Sequence, residues 1–226
     1  MKHIALVGAT GLTGGFLLDL LLNSSGVSKV SVFARSDAPF IHHKLEWHKV
    51  DLLDESTWVD SINIPIHLAF CCIGTTKAQT PNKQLYKAID FGIPVAFARF
   101  VHRLGCRDFG VISSVGADSN SRIFYSKTKG EMEDELGKLN FNRLFIFRPS
   151  LIEGKRKSTR IGEKIASVLM HTLGLFIPNH YKPITGQKLA SVMWDFVQEK
   201  NKEGLHLIDS KQIYKRKIAL FPEKKS

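Results

Sequence analysis

The sequence predicts an α/β fold, a doubly wound parallel sheet with a small C-terminal substrate lobe. Three observations lead there. Short apolar segments alternate with helical ones through residue 150, a glycine-rich turn joins the first strand to the first helix, and Ile66–Ile73 (I-H-L-A-F-C-C-I) is apolar almost throughout. Alternation of this kind implies parallel strands joined by right-handed crossovers. A continuous apolar run suits a strand covered on both faces.

The elements follow in order. His3–Val7 is the first strand, and the apolar stretch Phe16–Leu22, interrupted by Asp19, is the first helix. Lys29–Ala34 alternates as a second strand, Leu45–Val50 is a third, Glu55–Ser61 a short helix and Ile66–Ile73 the fourth strand. Asn82–Leu104 has a long helical pattern that Gly105 ends as a C-cap. Pro94 within it predicts a kink or break, because proline lacks the N–H and crowds the preceding turn. Phe109–Ser113 is a fifth strand, Ile123–Lys138 a helix and Arg143–Phe147 a sixth strand. From Ser150 the order loosens into a basic loop over 154–160, helices near 161–173 and 187–200, a strand near 205–209 and a charged tail. We expect a single domain over 1–226, with the core in 1–150 and the substrate lobe in 151–226.

Composition narrows the class. With 226 residues, 43% hydrophobic and 23% charged, the chain can bury its own core, which excludes a disordered or low-complexity protein. No run approaches the roughly 18–20 apolar residues of a membrane helix. Met1-Lys2-His3 mimics a secretory start, but Gly8, Gly11, Gly14, Gly15 and Asp19 break the following segment. Three cysteines, two of them adjacent at Cys71 and Cys72, cannot form a disulfide framework, and no second Cys or His pair stands at zinc spacing. The expectation is reduced thiols, no metal and a cytoplasmic protein.

The net charge of +11 divides into +3 over residues 1–150 and +8 over 151–226. Its densest run, Gly154–Arg160 (G-K-R-K-S-T-R), has no interleaved aromatics, and helix-turn-helix and zinc-finger spacings are missing. Nucleic acid is therefore disfavoured as a partner. The run suits a solvated loop or a small anionic substrate.

Gly8-Ala9-Thr10-Gly11-Leu12-Thr13-Gly14 carries the main binding signal. Glycines let backbone approach a pyrophosphate, and the exposed N–H groups at a helix N-terminus stabilise its charge. NAD binders usually place an acid about 20 residues on, at the ribose 2′-hydroxyl. Here Ala34 and Arg35 stand there, and an arginine fork suits a 2′-phosphate. NADP(H) is the preferred cofactor, while the nearby Asp37 keeps NAD(H) open. Asp51-Leu52 can meet the adenine edge, although Asp51 also reads as a turn or helix-cap residue.

Tyr125 and Lys129 lie four apart, hence on one helix face. A lysine ammonium beside a phenol favours its ionised form, and such a phenol exchanges a proton with a carbonyl or alcohol during hydride transfer. Ser113-Ser114 ends a strand upstream, where a hydroxyl can hold the same oxygen. Both features fall at carboxyl ends of strands, where open α/β sheets bind ligands.

Together, G-A-T-G-L-T-G, the serine pair, Y-x-x-x-K and Phe147-Arg148-Pro149 resemble an atypical or extended short-chain dehydrogenase/reductase. More closely, F-C-C-I-G-T-T, I-S-S-V-G-A-D, Y-S-K-T-K-G-E and F-R-P-S-L-I resemble the Tat-interacting-protein-like oxidoreductases, over about residues 3–200. The resemblance implies a Rossmann fold with Tyr125 as acid/base, Lys129 at the nicotinamide ribose and Ser114, the second serine of the pair, on the substrate. It puts the pyrophosphate at Gly8, Thr10, Gly11, Leu12, Thr13 and Gly14, and the 2′-phosphate at Arg35. Cys72, Ile73 and Gly74 would line the cofactor, with Pro149 near the nicotinamide. Two departures stand out: Asp90 replaces a structural asparagine of many relatives, and the Ser–Tyr interval is short. The implied activity is hydride transfer to or from a small carbonyl or alcohol, by a monomer or homodimer. The alternative is a non-catalytic NADP(H)-binding regulator whose partner reads cofactor occupancy.

Overall fold

The computed structural model describes residues 1–58, 64–154, 182–200 and 202–218. The basic run beyond Gly154, the helix expected near 161–173 and the tail beyond 218 lie outside the described residues. The strands are β1 (Lys2–Val7), β2 (Val27–Ala34), β3 (Leu45–Lys49), β4 (Leu68–Cys71), β5 (Asp108–Ile112), β6 (Arg143–Arg148), β7 (Ile152–Glu153), β8 (Ile184–Thr185) and β9 (Gly204–Asp209). Seven of them form one parallel sheet in the order β3-β2-β1-β4-β5-β6-β9, while β7 and β8 pair separately. That is the Rossmann order, with the chain reversing direction between β1 and β4 and a crevice opening above them.

Helices α1 (Leu12–Asn23), α2 (Lys83–Lys87), α3 (Ile93–Arg103), α4 (Phe124–Gly137), α5 (Gly186–Gln198) and α6 (Ser210–Lys215) complete the described residues. Successive side chains of a strand point to opposite faces, so β1 feeds two cores at once. Ile4 and Leu6 pack with Leu17 and Leu21 of α1 and Leu189 and Met193 of α5. Ala5 and Val7 pack with Phe97 and Val101 of α3 and Met132 and Leu136 of α4. Burial on both sides is why the strands read as continuous apolar runs.

The long helical pattern over 82–104 resolves into three pieces. Between α2 and α3 the chain makes a π-helical turn, Ala88–Gly92, and Pro94 sits in the first turn of α3. Its missing N–H and its ring, directed at the turn that carries Asp90, make the wider turn the local solution. Gly105 (φ +81°) closes α3, with Gly105 N–H donating to the His102 carbonyl and Cys106 N–H to the Val101 carbonyl, a Schellman arrangement.

Two segments differ from expectation. The first helix starts at Leu12 rather than Phe16, directly out of the glycine turn. Part of the expected charged tail is α6, whose N-terminus carries a capping box between Asp209 and Gln212. The short interval between Ser114 and Tyr125 is also explained. Asp118 N–H donates to the Ser126 carbonyl at 3.1 Å, folding the loop back onto α4.

At the far edge, His3 Nε2 lies 2.8 Å from Ser31 Oγ, which donates to Glu46, and the His48 ring stacks on Phe33 at 5.1 Å. Burial lowers both His3 and His48 below the usual value near 6.5. The unfolded chain therefore takes up protons first as pH falls, so stability is full above about 6.5 and is lost towards the folded values. Urea midpoints should fall between pH 7.5 and 5.5, and His3→Gln should flatten that slope.

Candidate functional site

The crevice is built by backbone before any side chain enters it. Gly8 has φ +88°, and a Cβ there would lie 2.7 Å from the Cys72 carbonyl carbon. A Cβ on Gly14 would lie 2.1 Å from the Gly8 oxygen. Gly11 N–H donates to the Gly8 carbonyl at 3.0 Å, turning the chain into α1. Gly11 caps that helix without a side-chain bond, and no acid occupies its first turn. The N–H groups and dipole of α1 thus face the crevice with no acid of the helix's own first turn competing for them.

A cavity of about 300 Å³ opens there, lined by Gly8, Thr10, Phe33, Ala34, Arg35, Ser36, Leu52 and Ile73. A second, of about 440 Å³, continues along Arg35, Lys49, Val50, Asp51 and Thr57. Arg35 is exposed and has no carboxylate partner among the described residues, whereas Asp37 pairs with Lys49 at 2.9 Å. The Asp51 carboxylate accepts from Leu53 N–H at 2.9 Å, which is the turn role, and it still borders the second cavity.

Other expected cofactor residues are committed in specific ways. The Leu12 side chain lies against Gly154 and Gly186, so its backbone is what remains for a ligand. Thr13 is buried. Cys72 N–H donates to the Val7 carbonyl at 2.9 Å. Burial pushes the Cys71 thiol up to about 12 and Cys72 well above its ordinary value, so neither serves as a thiolate. Gly74 faces Asp90, with 3.6 Å between a built Cβ and Oδ1. Pro149 is buried and its carbonyl accepts from Val115 N–H at 3.1 Å, tying the tip of β6 to the loop after Ser114.

At the tips of β5 and β6 the two serines part company. Ser113 Oγ donates to Glu133 of α4, which also pairs with Arg148 of β6. Ser114 Oγ is buried without a hydrogen-bond partner among the described residues. Tyr125, in the first turn of α4, is 39% exposed. One turn on, Lys129 is buried with Nζ 2.9 Å from Asp90 Oδ1, an ionic contact rather than an aligned hydrogen bond. Asp90 Oδ2 accepts from Thr75 N–H at 2.8 Å. Sequence reasoning marked Asp90 only as a departure from a structural asparagine, and gave no role to Glu133 or to Tyr86, whose ring lies 6.0 Å from that of Tyr125. The available signal was spacing, since Tyr86 and Asp90 repeat the four-residue interval of Tyr125 and Lys129.

A model of the NAD dependent epimerase/dehydratase family matches residues 4–134. The chain belongs to this family. Among curated relatives, "Protein FMP52, mitochondrial" of Candida albicans is 29% identical, over 86% of this chain and 87% of that protein. "Protein fmp52, mitochondrial" of Aspergillus clavatus is 34% identical, over 72% of each. A short chain dehydrogenase family protein from Francisella tularensis superposes with TM-score 0.70 at 14% identity, covering 94% of this chain and 98% of that one. That likeness shows the fold. This member of the NAD dependent epimerase/dehydratase family thus shares the fold of short-chain dehydrogenase proteins. Among the described residues no helix is long and apolar enough to cross a membrane.

The expectation of a cytoplasmic protein is corrected: the curated relatives this chain matches are named mitochondrial proteins. Reduced thiols report only a reducing compartment, and cysteine count does not tell one such compartment from another.

The serines make a clean contrast. Ser113→Ala should destabilise the ligand-free protein by about 1–3 kcal/mol, because Glu133 loses a donor. Ser114→Ala should leave the urea midpoint unchanged or raise it.

Proposed function

We propose that this chain is an NADP(H)-dependent oxidoreductase that moves a hydride between the nicotinamide and a small carbonyl or alcohol. The observation that carries this reading is the buried Ser114 hydroxyl, which has no hydrogen-bond partner among the described residues while Ser113 is bound to Glu133. A buried donor with no partner destabilises the resting fold, and a substrate oxygen relieves it.

The residues fit the cofactor. The turn from Gly8 to Gly14 excludes side chains where a pyrophosphate would approach, and Arg35 has no carboxylate partner among the described residues. Gly8, Thr10, Gly11, Leu12, Thr13 and Gly14 would hold the pyrophosphate through backbone, and Arg35 the 2′-phosphate. Asp51 and Leu52 would flank the adenine, with Cys72, Ile73, Gly74 and Pro149 towards the nicotinamide. The bound cofactor supplies or accepts the hydride. Tyr125 gives a proton to the substrate oxygen in reduction and takes it back in oxidation. Ser114 donates a hydrogen bond to that oxygen, and Lys129 holds the ribose hydroxyls. Within the single domain, the described residues after 150 add α5 to the core and β9 to the main sheet instead of forming a separate lobe.

One observation favours the second reading, a cofactor-occupancy reporter without turnover. Asp90 lies 2.9 Å from Lys129, so Tyr125 meets the field of an ion pair rather than of a lone cation.

Calorimetry and a turnover screen over aldehydes and ketones separate the two. Arg35→Ala should weaken NADPH binding about ten-fold or more and leave NADH within two-fold. Tyr125→Phe should lower kcat by about 10²–10⁴ with NADPH affinity retained. Tight NADPH binding with no turnover on any carbonyl selects the reporter, and full activity in Tyr125→Phe removes its catalytic role.

A further inference from the structure

Two facing segments repeat one spacing. Tyr125 and Lys129 stand four apart on α4, and Tyr86 of α2 and Asp90 of the π-helical turn stand four apart opposite them. Residues at that interval share a helix face. The two ladders meet rung to rung. Lys129 Nζ lies 2.9 Å from Asp90 Oδ1, and one turn away the Tyr125 and Tyr86 rings lie 6.0 Å apart at 65°. Phe124 packs on the Tyr86 ring at 5.6 Å, with Lys83 over Phe124 on its outer side.

Tyr86 is 3% exposed, and its hydroxyl has no hydrogen-bond partner among the described residues. A buried hydroxyl left unpaired destabilises the fold. Ring packing does not require it, since phenylalanine would make the same edge contacts with Phe124 and Tyr125. Burial, then the Asp90 charge, hold the phenol well above the ordinary tyrosine range, so it remains a donor through neutral pH. Ser114 is a second buried hydroxyl in the same condition.

We propose that Tyr86 Oη donates a hydrogen bond to an oxygen of the molecules bound at Tyr125, which makes Tyr86 a further ligand-contacting residue. The acceptor is either a substrate carbonyl oxygen or a ribose hydroxyl of the cofactor. The inference rests on the oxidoreductase reading of that site. Asp90 is the positioning residue of the same ladder, holding Lys129 one turn beneath the two tyrosines.

The test is Tyr86→Phe in the full chain, read three ways. Without ligand, its urea midpoint should equal or exceed that of the parent protein. With ligand, one of two losses should appear. NADPH affinity by calorimetry falls about five-fold or more if the acceptor is the ribose. If it is the substrate oxygen, NADPH affinity is kept and KM for 4-nitrobenzaldehyde or cyclohexanone rises by a similar factor. A lower ligand-free midpoint overturns the proposal, because the hydroxyl would then be bonded inside the protein. NADPH affinity and KM both within two-fold of the parent also overturn it. Should the parent protein reduce no carbonyl of the full aldehyde and ketone screen, the oxidoreductase reading fails separately, and NADPH affinity alone decides for Tyr86.

Discussion

The site depends on one buried ion pair. Lys129 and Asp90 have side chains 3% and 1% exposed, and neither charge could stay there without the other. Each comes from a different segment, Lys129 from α4 and Asp90 from the π-helical turn. The Asp90 carboxylate also receives the Thr75 N–H, from the loop that leaves β4 beside Gly8. A single carboxylate therefore fixes the tyrosine helix, the helix opposite and the crevice loop relative to one another. Pro94 and the wide turn before it exist at the position that brings Asp90 inward.

From this constraint follows a division of labour among polar groups. Those that hold the frame are saturated: Ser113 with Glu133, Glu133 with Arg148, and Asp37 with Lys49. Around the crevice, the groups without a partner among the described residues are Ser114 and Tyr86 as buried hydroxyls, Arg35 as an exposed cation, and the start of α1, which has no side-chain cap. The free groups lie along the carboxyl ends of the strands, where the sheet reverses its winding. The cationic Arg35 sits at the β2 end and the hydroxyl of Ser114 at the β5 end, an arrangement the proposed reading assigns to a nucleotide phosphate and a carbonyl.

Much of this was legible in the sequence. Burial on both faces makes parallel strands apolar runs, so β1, β4 and β5 announced themselves, and glycine spacing marked the turn because no other residue fits against Cys72 or Gly8. What stayed hidden was pairing across the fold. Asp90 stands out by sequence only as a replacement for a structural asparagine, and its partner Lys129 emerges when α4 is set against it. Nothing local separates Ser113 from Ser114; Glu133, twenty residues on, does so. Leu12 likewise reads by sequence as part of the phosphate-binding turn, yet it starts α1 and its side chain is taken by Gly154 and Gly186. The helix α6 was missed although Asp209 and Gln212 carry a capping pattern, because surrounding lysines read as a tail.

A double-mutant cycle on the ion pair tests the central claim most directly. Urea unfolding is measured for the parent protein, Asp90→Asn, Lys129→Met and the double variant. Each single change strands a buried charge and should cost about 3–5 kcal/mol, while the double variant should recover most of that loss. Additive losses, or singles that unfold like the parent protein, would contradict the account.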